Sequence, residues 1–238
     1  MPQARAVLFD FGGTLFDYET TAPGERACLI ELAHEAGITA EAKDIRRAYR
    51  ASLKHVFYEY LPQPYYLHRD MFRDALLETA VHFGVTFTAE QLERYRTNQW
   101  RQRKRDFRLR EGVTETLLAL RQHRLHLGIV SNVDNEQFSH MMELAALEPY
   151  FDSLLTSEDV QSCKPDQGIF AEALRRARCL PQEVFFVGDS LQQDIVGANR
   201  AGMNSVLIWS QLNRNPPDTH AKPQHVIRHI PELLDIVA

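Results

Sequence analysis

Cysteine is scarce in this chain: Cys28, Cys163 and Cys179 are the only three among 238 residues, with no Cys-x-x-Cys spacing. An odd count without that spacing excludes a disulfide scaffold and a thiolate zinc cluster, and marks the three as reduced packing residues. Long apolar runs are missing too, since no stretch reaches the roughly 18 residues a membrane-crossing helix needs. The start, Met1-Pro2-Gln3-Ala4-Arg5, shows no signal-peptide pattern, so a cytoplasmic protein is expected. Positive charge is not in excess: 27 Lys plus Arg against 32 Asp plus Glu leave a net charge of −5. No partnership with nucleic acid or an anionic membrane is therefore expected. What remains, 44% hydrophobic and 25% charged residues without repeats or low-complexity tracts, is the composition of an ordinary globular protein.

Short apolar runs at Ala6 to Phe9, Leu125 to Val130, Leu154-Leu155, Val184 to Val187 and Val206 to Trp209 read as buried strands. Amphipathic helices are expected between them, at Gly112 to Gln122, Asn135 to Leu147, Gly168 to Arg178 and Asp194 to Ala201. Strands alternating with helices at this spacing predict an α/β fold, a doubly wound parallel sheet whose functional residues gather at the carboxyl ends of the strands. Asn213 to Pro223 is polar and Pro-containing and reads as a surface loop.

One segment interrupts the alternation. From Thr21 to Arg103 the periodicity is helical, with stripes at Ile45, Tyr49, Leu53, Val56, Tyr60 and at Phe72, Ala75, Leu76, Ala80, Phe83. Thr88-Ala89-Glu90-Gln91 has the form of a capping box opening a last helix. The expected organisation is a core of residues 1–17 and 108–238 with a four-helix insertion at 18–107 lying over the strand ends like a lid. A basic run, Arg101, Arg103, Lys104, Arg105, Arg108 and Arg110, closes the insertion and reads as a solvated helix end, with capture of an anionic substrate as the functional alternative. His225 and His229, four apart with no third ligand nearby, read as surface residues rather than a zinc site.

Chemistry-bearing residues fall at or just beyond the expected strand ends: Asp10-Phe11-Gly12-Gly13-Thr14, Ser131-Asn132, Lys164-Pro165-Asp166, and Gly188-Asp189-Ser190 with Asp194. In this order they resemble the haloacid dehalogenase superfamily, most specifically through Val187-Gly188-Asp189-Ser190-Leu191-Gln192-Gln193-Asp194 and the residues up to Met203. The helical insertion after the first motif resembles that family's type 1 cap. The resemblance implies a Rossmann-like core and a Mg²⁺-dependent phosphohydrolase working on a small phosphorylated metabolite.

Elementary chemistry gives each position a task. Asp10, ionised at neutral pH and followed by glycines, is suited to attack phosphorus and form an aspartyl-phosphate. Mg²⁺ takes octahedral oxygen ligands and keeps several waters, so Asp10, Asp189 and the Gly12 carbonyl suffice, with Asp194 holding the metal's waters or Lys164. The outer oxygens of a transferring phosphoryl group need donors and cations. Ser131 and Lys164 fit that need, and backbone N–H groups of Gly12-Gly13 and Asn132 complete the expected phosphate cradle.

The pattern is broken at one place. Phosphatases of the superfamily carry a second Asp two residues after the nucleophile, as general acid and base; here that residue is Gly12. Three routes remain open: a leaving group that needs no proton, as in an acyl phosphate; an acid from the insertion, where Tyr65, Tyr66, His68 and Arg69 are candidates; or a different reaction. Phosphonoacetaldehyde hydrolases also lack that Asp, and their pattern resembles Asp10, Gly13-Thr14, Asp17-Tyr18 and Ala22-Pro23. They need a Schiff-base lysine, for which Lys54 is the nearest residue. The 2-haloacid dehalogenases lack the acid as well, but Gly188-Asp189 departs from their metal-free pattern. A fourth reading is a phosphate-binding regulatory protein with weakened turnover. The oligomeric state, monomer or homodimer, is left open.

Overall fold

A computed structural model describes residues 4–209 and 221–237. Met1-Pro2-Gln3 and most of the expected surface loop, Asn213 to His220, lie outside the described residues. The chain divides into two compact units, Met1–Asp17 with Leu109–Ala238, and Tyr18–Arg108.

In the first unit, six parallel strands stand in the order β3-β2-β1-β4-β5-β6. They are β1 (Ala6–Phe9), β2 (His126–Ser131), β3 (Ser153–Thr156), β4 (Val184–Gly188), β5 (Asn204–Ile208) and β6 (His225–Ile227). β1 is central and all four of its side chains are buried, which is why its sequence is an unbroken apolar run rather than an alternating one. Phe9 is in register with Ile129 on one side and Val187 on the other. The residues following β1 and β4 and the last residue of β2 thus emerge side by side, where the strand order reverses.

β6 has no counterpart among the expected strands. His225 pairs there with Val206 of β5, so His225 and His229 do not share one helical face. A three-residue edge strand with Val226 half-exposed is too short to show a period.

Tyr18–Arg108 holds four helices: α1 (Tyr18–Glu35), α2 (Ala42–Tyr60), α3 (His68–His82) and α4 (Ala89–Asp106). Cys28, Leu29, Leu32, Ile45, Leu76, Ala80, Phe87 and Tyr95 make its core. α4 opens with the expected capping box: the Thr88 hydroxyl accepts from the Gln91 N–H at 3.2 Å, and the Gln91 side chain accepts from the Thr88 N–H at 2.8 Å. A cap of this kind contributes about 1 kcal/mol. The second expected stripe is only partly apolar-inward, because Phe72 stays 37% exposed while its neighbour Met71 is buried.

Most of the basic run is the solvated helix end its composition suggests, with Arg101, Lys104, Arg105 and Arg108 exposed. Two members differ: Arg103 is half-buried and its Nε donates to Glu25 of α1 at 2.6 Å. Arg110, beyond the end of α4, turns its guanidinium onto the backbone of Gly13. Local sequence shows the charge but not a partner 78 or 97 residues away.

Helices α5 (Val113–Gln122), α6 (Asn135–Ala145), α7 (Ser157–Val160), α8 (Gln167–Ala177) and α9 (Val196–Arg200) join the strands of the first unit. Between β4 and α9 a single π-turn, Leu191–Ile195, replaces the expected start of a plain helix at Asp194. Such wide turns recur at functional sites because they redirect one side chain.

Candidate active site

Asp10 is the first residue beyond β1, tied to the sheet by its N–H, which donates to the Val187 carbonyl at 2.8 Å. Its carboxylate is almost entirely enclosed and every contact on it is a donor. The Lys164 ammonium donates to Oδ1 at 2.7 Å, the Ser131 hydroxyl to the same oxygen at 3.3 Å, and the Thr14 hydroxyl to Oδ2 at 3.2 Å. Donors converging on both oxygens fix the direction of the carboxylate. Thr14 has no role assigned from sequence, although its position four residues after Asp10 carries it back over that side chain.

Lys164 is 1% exposed and reaches three acceptors: Asp10 Oδ1, the Val130 carbonyl at 3.0 Å and Asp194 Oδ1 at 2.7 Å. The ring of Phe186 lies 5.5 Å below the ammonium. Burial by itself would depress the amine, but the charges of Asp10 and Asp194 outweigh it and hold the pKa above the usual lysine range. The backbone that carries Lys164 is gripped by Asn132, whose side chain accepts from the Lys164 N–H at 2.7 Å and donates to the Lys164 carbonyl at 2.9 Å. The Asn132 side chain thus sets the ammonium in place.

The π-turn explains Asp194. It swings the side chain back so that Oδ2 accepts the Ser190 N–H at 2.9 Å while Oδ1 holds Lys164. Gly188 makes the room, since a Cβ there would come within 2.4 Å of the Asp194 carboxyl. Gly13 does the same for Asp189. It sits at φ +83°, and a Cβ would fall 2.2 Å from Asp189 Oδ2.

Three carboxylates therefore face one ammonium. Among the described residues Asp10, Asp189 and Asp194 each offer an oxygen, and these lie within 4.8 Å of one another. Burial first, then the charges of Asp10 and Asp194, push the Asp189 carboxyl well up, against the weaker pull of Lys164 and Arg110. Asp194 is likewise raised by burial despite its bond to Lys164. An excess of buried negative charge among hard oxygen donors is what a divalent cation such as Mg²⁺ neutralises.

The structure thus brings together Asp10, Ser131, Asn132, Lys164, Asp189 and Asp194, and alters one expectation: the Gly13 N–H is turned away from a phosphate cradle and donates to the Phe16 carbonyl at 3.0 Å. The residues of the helical insertion are packed among themselves. Tyr66 and His68 are buried with ring centroids 4.9 Å apart, and Tyr60 stacks edge-on against Tyr66 at 5.2 Å. Tyr65 is half-buried and Arg69 exposed.

Replacing Lys164 by Met keeps the volume and removes the only cation bonded to Asp10 and Asp194 among the described residues. Breaking a buried ion network in this way costs on the order of 3–5 kcal/mol. Urea unfolding of the metal-free protein should show that loss, and a change under about 1 kcal/mol would mean the ammonium is not the keystone its contacts suggest.

The chain belongs to the haloacid dehalogenase-like hydrolases, matching that family over residues 7–208, and is a hydrolase of that family. It is similar to the glyceraldehyde 3-phosphate phosphatase of Methanopyrus kandleri, 30% identical over 236 residues that cover 98% of this chain and 97% of that protein. It is also similar to the ribulose-1,5-bisphosphate 5-phosphatase of Halopiger xanaduensis, 27% identical over 253 residues, covering 99% of this chain and 100% of the other. Among solved structures, the HAD-hydrolase YfnB from Bacillus subtilis bound to magnesium has the same fold, with a TM-score of 0.78 at 21% identity over 99% of both chains. Among the described residues no helix is long and apolar enough to cross a membrane.

Proposed function

We propose that this protein is a Mg²⁺-dependent phosphohydrolase that removes phosphate from a small metabolite through an aspartyl-phosphate on Asp10. The observation that carries the reading is the Asp10 carboxylate, pinned by Lys164, Ser131 and Thr14 beside Asp189 and Asp194. A carboxylate held so rigidly loses little freedom on reaching phosphorus, and its direction is set before the substrate arrives. The full-length similarity to two sugar-phosphate phosphatases supports the substrate class.

An Asp10 oxygen forms the new P–O bond as the ester P–O bond breaks, and water later releases phosphate from Asp10. Lys164 and the Ser131 hydroxyl face the outer phosphoryl oxygens, where negative charge spreads. Asp10, Asp189 and the Gly12 carbonyl would hold Mg²⁺, which when bound offsets the charge of the carboxylates and of the phosphate. Asp194 keeps Lys164 charged and in place.

Because Gly12 cannot protonate the leaving oxygen, the reading favours substrates whose leaving group needs no proton. Lys43, Lys54 and Lys104, the lysines of the helical unit, are all exposed, so none is enclosed in a pocket of its own as a Schiff-base lysine is. That weighs against phosphonoacetaldehyde cleavage.

A panel of phosphate monoesters and acyl phosphates, assayed with Mg²⁺ and with chelator, tests the proposal. Phosphate release that needs Mg²⁺ and is fastest on acyl phosphates is expected. Binding of beryllium fluoride without release from any substrate would instead favour a phosphate-binding regulatory protein.

A further inference from the structure

Arg110 stands where the chain returns to the core, and its guanidinium and backbone N–H bond to the segment that follows the nucleophile. Its Nε and Nη2 both donate to the Gly13 carbonyl, at 3.0 and 2.7 Å. Its Nη1 reaches Asp17 Oδ2 at 3.4 Å, and its backbone N–H donates to the Leu15 carbonyl at 2.9 Å. The adjoining Leu109 bridges to Phe16. A guanidinium offers this two-pronged grip on one carbonyl; a lysine ammonium offers a single point.

Gly13 is the other half of the arrangement. Its Cα lies so close to the Asp189 carboxylate that a Cβ would fall 2.2 Å from Oδ2. Its N–H donates to the Phe16 carbonyl at 3.0 Å, so the turn is held on that side as Arg110 holds the carbonyl on the other. Wherever the Gly13 backbone goes, the wall of the Asp189 side chain goes with it.

We infer that Arg110 is a positioning residue for metal binding: it clamps the Gly13 backbone against Asp189 and so fixes the rotamer of that carboxylate towards the site it shares with Asp10. This rests on the metal site proposed above. Arg110 would touch neither metal nor phosphate; it acts through a glycine.

Calorimetric titration of Mg²⁺ into wild type, Arg110→Met and Arg110→Lys tests the inference without any substrate. Loss of a residue behind a metal ligand typically weakens binding about 10- to 100-fold. Arg110→Met should fall in that range, Arg110→Lys should recover part of the loss through its single donor, and hydrolysis by Arg110→Met should return towards the wild-type rate as Mg²⁺ is raised. Unchanged Mg²⁺ affinity in Arg110→Met overturns the inference while leaving the metal site standing. A wild type that binds no Mg²⁺ removes the metal site itself and the inference with it. Should Arg110→Met fold poorly, Arg110→Gln, which keeps one N–H donor for the Gly13 carbonyl, gives the same comparison.

Discussion

Asp10→Asn should abolish hydrolysis while leaving the fold intact. Asparagine keeps the size and one oxygen of aspartate but lacks the charge and the nucleophilic lone pairs, so it forms no phosphoryl ester. Removing a residue on which covalent catalysis depends lowers kcat by about 10⁴- to 10⁶-fold. Stability should respond in the opposite sense. Lys164 keeps Asp194 and the Val130 carbonyl as partners, and one of the charges that raise Asp189 disappears. Thermal unfolding without Mg²⁺ should therefore occur at the same or a higher temperature than in wild type. Single-turnover assays alongside the melts separate the two effects, and hydrolysis that survives the substitution would end the assignment of Asp10 as nucleophile.

Gly12→Asp should do the reverse and raise activity on simple phosphate monoesters. A positioned acid contributes typically 10²- to 10⁴-fold when the leaving oxygen is a poor one. The gain should be large for alkyl esters and small for acyl phosphates, whose leaving groups need no proton. That selectivity matters more than the absolute rate, because a general improvement in folding or metal loading would raise both classes together. Steady-state kcat/KM across the two classes provides the comparison. No gain on alkyl esters would show that another group already donates the proton in the natural chain.

Much of the core was legible because its strands are central and buried. β1, flanked by β2 and β4, has no polar face to hide, so an unbroken apolar run ending in Asp10 marks both the strand and its functional end. Three of the four motifs could be placed at strand ends for the same reason, while Lys164 lies further on, beyond β3 and α7. β6 escaped because a three-residue edge strand offers neither a run nor a period. Arg110 escaped for a different reason: nothing within its own neighbourhood distinguishes it from Arg105, which pairs with the adjacent Asp106 in water. Its partner is Gly13, 97 residues back, and only the folded chain brings the two together. The π-turn is likewise invisible to periodicity, since Asp194 to Ala201 reads as an ordinary helix until the close approach of Asp194 to Gly188 is seen.

Glycine in this site is a matter of space as much as of backbone freedom. Gly13 and Gly188 each make room for a carboxylate, whereas Gly12 stands where phosphatases of the superfamily carry an acid. On the proposed reading the chain has a framework for a nucleophile and its cation, together with a deficit in proton transfer that its substrate or another residue must cover.

A crystal grown with Mg²⁺ and beryllium fluoride would report on the shared cation directly. Octahedral density at about 2.1 Å from one oxygen each of Asp10 and Asp189, with beryllium bonded to the other Asp10 oxygen, is the expected result. A metal bound elsewhere, or beryllium fluoride absent from Asp10, would contradict the proposed chemistry.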